Sequence, residues 1–444
     1  MVSVCHLSSF SGQNGSGLAA LRLHRSLRRL GMESTLFCRH GVADEAGVLA
    51  YSPPHHRWGR LLANWRARRI ARSLNRIGAN GEKAAALFSG DRSDAMDMPD
   101  QIPAAEVLHL HWISGIPQFG VGALIDQPTF FNGVNPSIPM VWTFHDLNPI
   151  TGGCHYPGAC DRYRYGCGQC PQLSTRGRPE VFTSALLKRK RRMFKMLEAR
   201  PLAIVANSRW TAAQAGESRV LRGLNIEIQV IFPGVDLASF RPAAKEACRR
   251  ALGLDPDTLV VCFGAAAVLD PVKGMDLLRE ALEGSKFRSR IHLLTFGNGG
   301  APDVCGLPIK HVGTVTNDTA LAKIYSAADV FVAPSRMEAF GQTAAEAVAC
   351  GIPVVGTPVG GIPEIVRHGE TGLIARECSG YSLRVALDEL LSDAALRSEF
   401  SARCRTAAVK LFDSDVQAKR YVEVYNKLST RESRGLRRHS RGTE

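Results

Sequence analysis

Two carboxylates separated by seven residues, Glu338 and Glu346, stand in the run PSRMEAFGQTAAEAVACGIPVVGTPVGGIPEIVRHGETG. Phe340 and Gly341 make a loop between them, and the alanine-rich stretch that follows predicts a helix beginning near Gln342. Glu346 then lies inside the helix near its first turns, with Glu338 on the preceding loop. A helix N-terminus offers unpaired backbone N–H groups and a partial positive charge, which suit a diphosphate. A carboxylate one turn in can accept hydrogen bonds from a ribose diol, while a loop carboxylate reaches a reacting sugar. The plainer alternative is a capped helix whose acidic residues complement its dipole.

A second set of chemically capable side chains is the cluster TGGCHYPGACDRYRYGCGQCPQL, with Cys154, Cys160, Cys167 and Cys170. The closing C-G-Q-C has the two-residue spacing that lets both thiolates bind one ion on a tight turn. Four thiolates fit a tetrahedral structural zinc, with His155 as a substitute ligand. A disulfide pair, a redox C-x-x-C and an iron–sulfur cluster are the alternatives. The other eight cysteines (Cys5, Cys38, Cys248, Cys262, Cys305, Cys350, Cys378 and Cys404) are scattered among apolar or helical neighbours, where a free thiol serves as a small hydrophobe.

Such groups need elements to hold them, and the period of the apolar residues supplies these. Residues 2–7 read as a buried strand, 9–17 as a glycine loop, and 18–30 as a helix stopped by Gly31. Residues 34–38 form the next strand, which completes the first unit of a parallel α/β sheet. Strands are further expected at 107–111, 140–144 and 203–206. After the turn-rich segment 232–242, a second series runs through 260–264, 292–296, 310–312, 330–333 and 353–356. Two such series predict two Rossmann-like domains, 1–235 and 236–428, facing a cleft lined by strand ends and helix N-termini. The cysteine cluster is an insert of the first, at 151–172. The last helix, about 413–428, is amphipathic and is a candidate to cross back. Residues 429–444 are expected to be a disordered basic tail.

The 444 residues exceed one ordinary domain, and 45% hydrophobic with 22% charged residues excludes disordered, collagenous and coiled-coil chains. Lys and Arg number 55 against 41 Asp and Glu, a net charge of +14, which favours anionic partners. No apolar run approaches the roughly 18 residues needed to cross a bilayer. The N-terminus lacks a basic n-region and reads as a strand rather than a signal peptide, so a cytoplasmic protein is expected. Residues 57–76, RWGRLLANWRARRIARSLNR, form a basic amphipathic helix with Trp58 and Trp65 as aromatic anchors. It suits an anionic membrane surface, or equally a solvated helix packed on its domain. The run KRKRR at 188–192 extends the basic character. Nucleic acid is not expected, because no recognition module surrounds either segment.

The glutamate segment resembles the signature of the family 4 retaining glycosyltransferases, which have the GT-B fold. The resemblance extends through HGETGLI, VIFPGVDLASFRP at 230–242, VKG at 272–274, YSAADVFVAPS at 325–335, ANS at 206–208 and the N-terminal glycine loop. It implies that Glu338 is near the transferred sugar's hydroxyls, that Glu346 meets the nucleotide ribose, and that Lys273 neutralises the donor diphosphate. Family members carry an Arg several residues before that Lys. The stretch 264–270, GAAAVLD, has none, which leaves neutralisation to Lys273, backbone amides and Arg336. Gly15 and Gly17 match the loop that lets the backbone approach donor and acceptor, though a glycine loop alone is also an ordinary tight turn. His145 in WTFHD matches the active-site histidine, and Asp146 is a weaker candidate. The cysteine-rich insert resembles that of a subgroup building exopolysaccharides of the colanic-acid type.

The implied activity is transfer of a hexose, with retention, from a UDP- or GDP-type sugar to a lipid-linked oligosaccharide, with no catalytic divalent ion. Two other classes fit in part: an epimerase or phosphorylase of the same architecture, and a catalytically silent membrane-associated scaffold. A dinucleotide-dependent oxidoreductase does not fit, for want of a G-x-G-x-x-G after a strand with an acidic residue at the expected distance.

Overall fold

The computed structural model describes residues 2–12, 14–41, 45–54, 57–77, 88–115, 123–173, 178–304 and 306–439. Cys305 lies outside them, as do residues 440–444 of the tail. The fold is α/β, with two parallel sheets in two compact units. One unit comprises Met1–Ile231 with Ala418–Glu444, and the other Phe232–Gln417.

The first unit carries strands β1 (Val4–Phe10), β2 (Ser34–His40), β3 (Val48–Ala50), β4 (Val107–Leu110), β5 (Met140–Phe144), β6 (Leu202–Ala206) and β7 (Ile228–Val230), in the order β3-β2-β1-β4-β5-β6-β7. All their pairings are parallel. Parallel sheets are covered on both faces, so both alternating sets of side chains are buried. Leu108, Leu110, Met140, Trp142 and Ile204 pack into one core, and Val4, Val107, Val141, Ala203 and Val205 into the other. His6, His109, His111 and Thr143 share the second face, because each lies an even number of residues from a core valine.

That second face is covered by the helix Ser414–His439, whose Tyr421, Val424, Tyr425 and Leu428 are buried in the same core. Residues 418–428 therefore belong with the first unit: the last helix crosses back, as its amphipathic pattern suggests, and the domain boundary 236–428 is corrected accordingly. Their apolar stripe covers the valines of that sheet face. The helix also runs on through residues 429–439, where a disordered tail is expected. Between 414 and 439 it meets no Pro and one Gly, and Lys, Arg and Glu are good helix formers.

The second unit holds β8 (Leu259–Ala267), β9 (Ile291–Asn298), β10 (Ile309–His311), β11 (Val330–Ala333), β12 (Val354–Gly356) and β13 (Gly372–Ile374), in the order β10-β9-β8-β11-β12-β13. The chain enters it at Phe232 rather than at 236. Strands β3, β7 and β13 were not anticipated. Each is three residues long and lies at a sheet edge, too short to register as an apolar run.

The helix Arg57–Arg76 forms as expected, but little of it packs on its domain. Leu74 is buried and Ile70 half-buried against Ile77, Phe88, Cys154 and Leu173. Trp58, Leu61, Leu62 and Trp65 are 79%, 51%, 52% and 55% exposed. The run 188–192 lies on the helix Pro179–Leu197 and is less of a surface feature than its charge suggests. Lys190 is 1% exposed and donates to the carbonyls of Asn148 and Thr151, while Arg189 pairs with Asp91 at 2.8 Å. Among the described residues no helix is long and apolar enough to cross a membrane.

Candidate active site

Within the second unit, the residues singled out by type and spacing converge around the carboxyl ends of β8 and β11. Strand β11 ends at Ala333 and the chain turns through Ser335 to Glu338 before the helix Gln342–Ala349 begins. Gly341 caps that helix in the left-handed conformation, with φ 112°. The loop is held by Arg336 N–H donating to the Val272 carbonyl (2.8 Å) and Thr357 Oγ1 donating to that of Ser335 (2.5 Å). Gly360 lies against it with φ 56°, and a Cβ there would stand 1.5 Å from the Glu338 carbonyl oxygen. Only glycine allows this approach.

Lys273 follows β8 in a short turn whose start is capped by Asp270, which accepts from Val272 N–H at 3.0 Å. Lys273 Nζ donates to Glu338 Oε2 at 2.7 Å, and Ser335 Oγ contacts the same oxygen at 3.5 Å. Burial pulls the Lys273 ammonium toward neutrality, but the Glu338 charge and hydrogen bond more than offset it and raise its pKa. Glu346 lies on the helix, 2% exposed, and accepts from Tyr325 Oη–H at 2.8 Å. Burial, then the Glu346 charge, push the Tyr325 phenol well above its ordinary value, so it remains a donor. Phe340 is buried between Phe232 and Phe412, with ring centroids 5.8 and 5.9 Å away. Gln342 is the first helical residue. Arg336 is turned to Asp276, with which it forms an ion pair.

Within the first unit, Gly15 and Gly17 follow β1 and His145 follows β5, all at the carboxyl edge of the sheet, since β1, β4 and β5 are parallel and in register. Gly15 opens the helix Gly15–Arg29, and Asn14 caps it by accepting from Gly17 N–H at 2.8 Å. A Cβ on Gly17 would lie 2.9 Å from the Phe10 carbonyl oxygen, so glycine permits the close helix–strand contact. His145 directly follows β5. Burial depresses its pKa from the ordinary 6.5 to about 4, against a smaller opposing pull from Asp146.

Asp146 is engaged elsewhere. It accepts from Trp112 Nε1 at 2.6 Å and from His155 Nδ1 at 2.7 Å, and His155 Nε2 meets Ser89 Oγ at 2.8 Å. With both ring nitrogens occupied inside the protein, His155 is not a substitute metal ligand. Cys154, Cys160, Cys167 and Cys170 line one small cavity with Pro157, Tyr163 and Thr183. Cys167 and Gln169 take left-handed backbone, φ 58° and 24°, which turns the C-G-Q-C back on itself. None of the described cysteines forms a disulfide.

Sequence reasoning missed three histidines. Among the described residues the one group of three or more metal-capable side chains whose donor atoms lie within 4.8 Å of one another is His6, His109 and His111, all buried. The alternation in VLHLHW was the available signal, since period two puts His109 and His111 on one sheet face.

Residues 257–393 match the family Glycosyl transferases group 1. The D-inositol 3-phosphate glycosyltransferase of Thermobispora bispora is 28% identical over 437 residues, covering 94% of this chain and 90% of its own. Its counterparts from Segniliparus rotundus and Rhodococcus erythropolis are 39% and 33% identical, over 33% and 52% of this chain. This chain spans 35% and 57% of those two proteins. Sucrose-phosphate synthase of Thermosynechococcus elongatus superposes with a TM-score of 0.62 at 19% identity, over 96% of this chain and 99% of that one. Anabaena HepE, crystallised with UDP and glucose, superposes at 0.61 with 16% identity, over 96% and 100%. The glycosyltransferase WaaG gives 0.60 at 14%, over 95% and 99%. Residues 257–393 thus resemble the group 1 glycosyl transferases, and the chain has an α/β fold of two parallel-sheet Rossmann-like units that matches the solved GT-B glycosyltransferases.

Proposed function

We propose that this protein is a retaining glycosyltransferase moving a hexose from a UDP- or GDP-type sugar to a lipid-linked oligosaccharide of a cell-surface or exported polysaccharide. The observation that carries the reading is the Lys273–Glu338 ion pair set beside the helix that bears Glu346, inside the matched segment. In this reading Lys273 and the amides at the head of the Gln342–Ala349 helix take the diphosphate. Glu338 holds sugar hydroxyls, Glu346 the ribose, and His145 the sugar or acceptor. The bond from the anomeric carbon to the diphosphate breaks as the bond to the acceptor oxygen forms. The acceptor's proton passes to a diphosphate oxygen, and the positive groups stabilise the leaving charge. Arg336, tied to Asp276, contributes to the diphosphate only if that pair opens.

The polysaccharide acceptor rests on the cysteine-rich insert. A second acceptor class, a phosphorylated polyol, is favoured by the likeness to the D-inositol 3-phosphate glycosyltransferase of Thermobispora bispora, which aligns over 94% of this chain. The exposed first half of the Arg57–Arg76 helix supports docking on an anionic membrane where a lipid-linked acceptor would lie. For the insert we propose a structural zinc. The donor chemistry fits, with four thiols facing one cavity, although the sulfurs must close further to share one ion. Metal analysis of the purified protein, finding about one zinc per chain that is lost in Cys167→Ser, checks this point; no zinc in freshly purified protein sinks it.

The function is tested by binding of purified protein to UDP-, GDP-, ADP- and TDP-sugars, repeated with Lys273→Ala and Glu346→Ala. Selective binding weakened in both variants is expected. If folded protein binds none of them, the transferase reading fails and a silent scaffold takes its place. If a donor is epimerised without acceptor, an epimerase takes its place.

A further inference from the structure

His6, His111 and His145 form a continuous chain of hydrogen bonds through the first unit. His6 Nδ1 meets His111 Nε2 at 2.9 Å, and His111 Nδ1 meets His145 Nε2 at 3.0 Å. His6 and His111 are 0% and 3% exposed. Burial drives both pKa values well below the ordinary range, and His145 follows them, so each ring carries a single proton. In such a chain the protons point one way or the other, and the choice at one end sets the choice at the other.

The far end decides it. His6 Nε2 is buried and, among the described residues, has no hydrogen-bond partner. An orphaned buried N–H is a rarer and costlier defect than an under-used acceptor. The proton of His6 therefore sits on Nδ1 and is donated to His111 Nε2. His111 must then carry its own proton on Nδ1 and donate it to His145 Nε2. His145 is left with its proton on Nδ1, the nitrogen that makes no hydrogen bond among the described residues. The neighbouring His109 is outside the chain, since its nitrogens meet Tyr425 Oη and Thr143 Oγ1 at 2.7 and 2.8 Å.

We propose that His6 and His111 are positioning residues that hold His145 in the Nδ1-protonated tautomer, so that it meets a bound sugar or acceptor as a hydrogen-bond donor and not as a base. The ligand-facing part rests on the function proposed above, whereas the tautomer does not. This separation makes the two distinguishable by experiment.

The full chain, labelled with ¹⁵N-histidine, is examined by long-range ¹H–¹⁵N correlation at neutral pH without added ligand. Expected at His145 are a protonated Nδ1 and a lone-pair Nε2, with the same pattern at His6 and His111. A protonated Nε2 at His145, or a doubly protonated ring, overturns the proposal. Metal-shifted nitrogens on His6, His109 and His111 overturn it in favour of a cation site. In His111→Phe the His145 signals are expected to shift to a mixture of tautomers. His111→Asn, whose amide N–H can stand in for the lost Nδ1–H, is expected to restore the wild-type pattern. An unchanged His145 in a folded His111→Phe protein removes the relay as the cause. If the Phe variant does not fold, the wild-type spectrum and the Asn variant still decide. Failure to bind any nucleotide sugar, with the tautomer as expected, counts against the function alone.

Discussion

Lys273 and Glu338, 65 residues apart in sequence, meet at 2.7 Å, so the residue proposed for the diphosphate is already paired with the one proposed for the sugar. The pair is partly solvent-accessible, with side chains 25% and 14% exposed. A bound donor would therefore replace a contact that exists without it. Lys273→Ala is expected to lower kcat by about 10²–10³-fold, the size of removing one group that stabilises developing charge. Glu338→Gln is expected to act mainly through the sugar. The two losses should be non-additive, with a coupling of about 0.5–3 kcal/mol as found for residues in contact. Steady-state kinetics of both single variants and the double variant check this; strict additivity would mean that the pair is not a functional unit.

Glu346 and Tyr325 separate binding from stability. Tyr325→Phe takes one donor from a buried carboxylate and should cost about 1–3 kcal/mol in urea unfolding. Glu346→Gln retains an acceptor for the Tyr325 hydroxyl and should unfold close to the wild type while binding the nucleotide sugar more weakly. Equal donor affinity in Glu346→Gln would place the ribose elsewhere.

The buried imidazoles give the first unit an acid sensitivity of defined sign. His6, His109, His111 and His145 all have folded-state pKa values depressed, chiefly by burial. The unfolded chain therefore binds protons that the folded one refuses. Stability from this source is complete above the ordinary value of 6.5 and declines as pH falls through it, continuing for His145 to about 4. Asp146, whose pKa is depressed by its hydrogen bonds and His155 despite burial, adds its loss only at still more acid pH. Urea midpoints measured between neutral and mildly acid pH should fall steadily, less steeply in His109→Asn. A flat profile would show that these rings titrate normally.

The exposed half of the Arg57–Arg76 helix predicts sedimentation with vesicles rich in anionic lipid, weakened by salt and absent with neutral lipid. The triple variant Trp58→Ser, Leu61→Ser, Trp65→Ser should lose this association. Its stability should stay within about 0.5 kcal/mol of the wild type for each exposed substitution. Wild-type protein that remains in the supernatant with anionic vesicles would leave the helix as a solvated surface element.

Most of this architecture was legible because the central strands are rich in apolar residues and flanked by glycine or polar turns, as at 140–144 and 330–333. The edge strands β3, β7 and β13 were not, since three residues are too few to leave a pattern. The glutamate loop was legible from its glycines and spacing. The histidine chain was not, because His6 and His111 lie far apart in sequence and only parallel register brings them together. Lys190 was misread for a related reason: within KRKRR nothing local distinguishes the one lysine that turns inward to the Asn148 and Thr151 carbonyls. The crossing back of 418–428 was legible as one reading of its amphipathic stripe, which states what must be covered but not by which sheet, so the domain boundary was still drawn at 428.

The placement of that last helix has a consequence for synthesis. Valines of β1, β4, β5 and β6 lack part of their cover until Tyr421, Val424, Tyr425 and Leu428 have been made. Because chains fold from the N-terminus as they emerge, the first unit must wait with this sheet face only partly covered, by Leu23, Leu27 and Met32, while the whole second unit is translated. The nascent chain is then most vulnerable to aggregation late in elongation, when the second unit is already able to fold and the first is not.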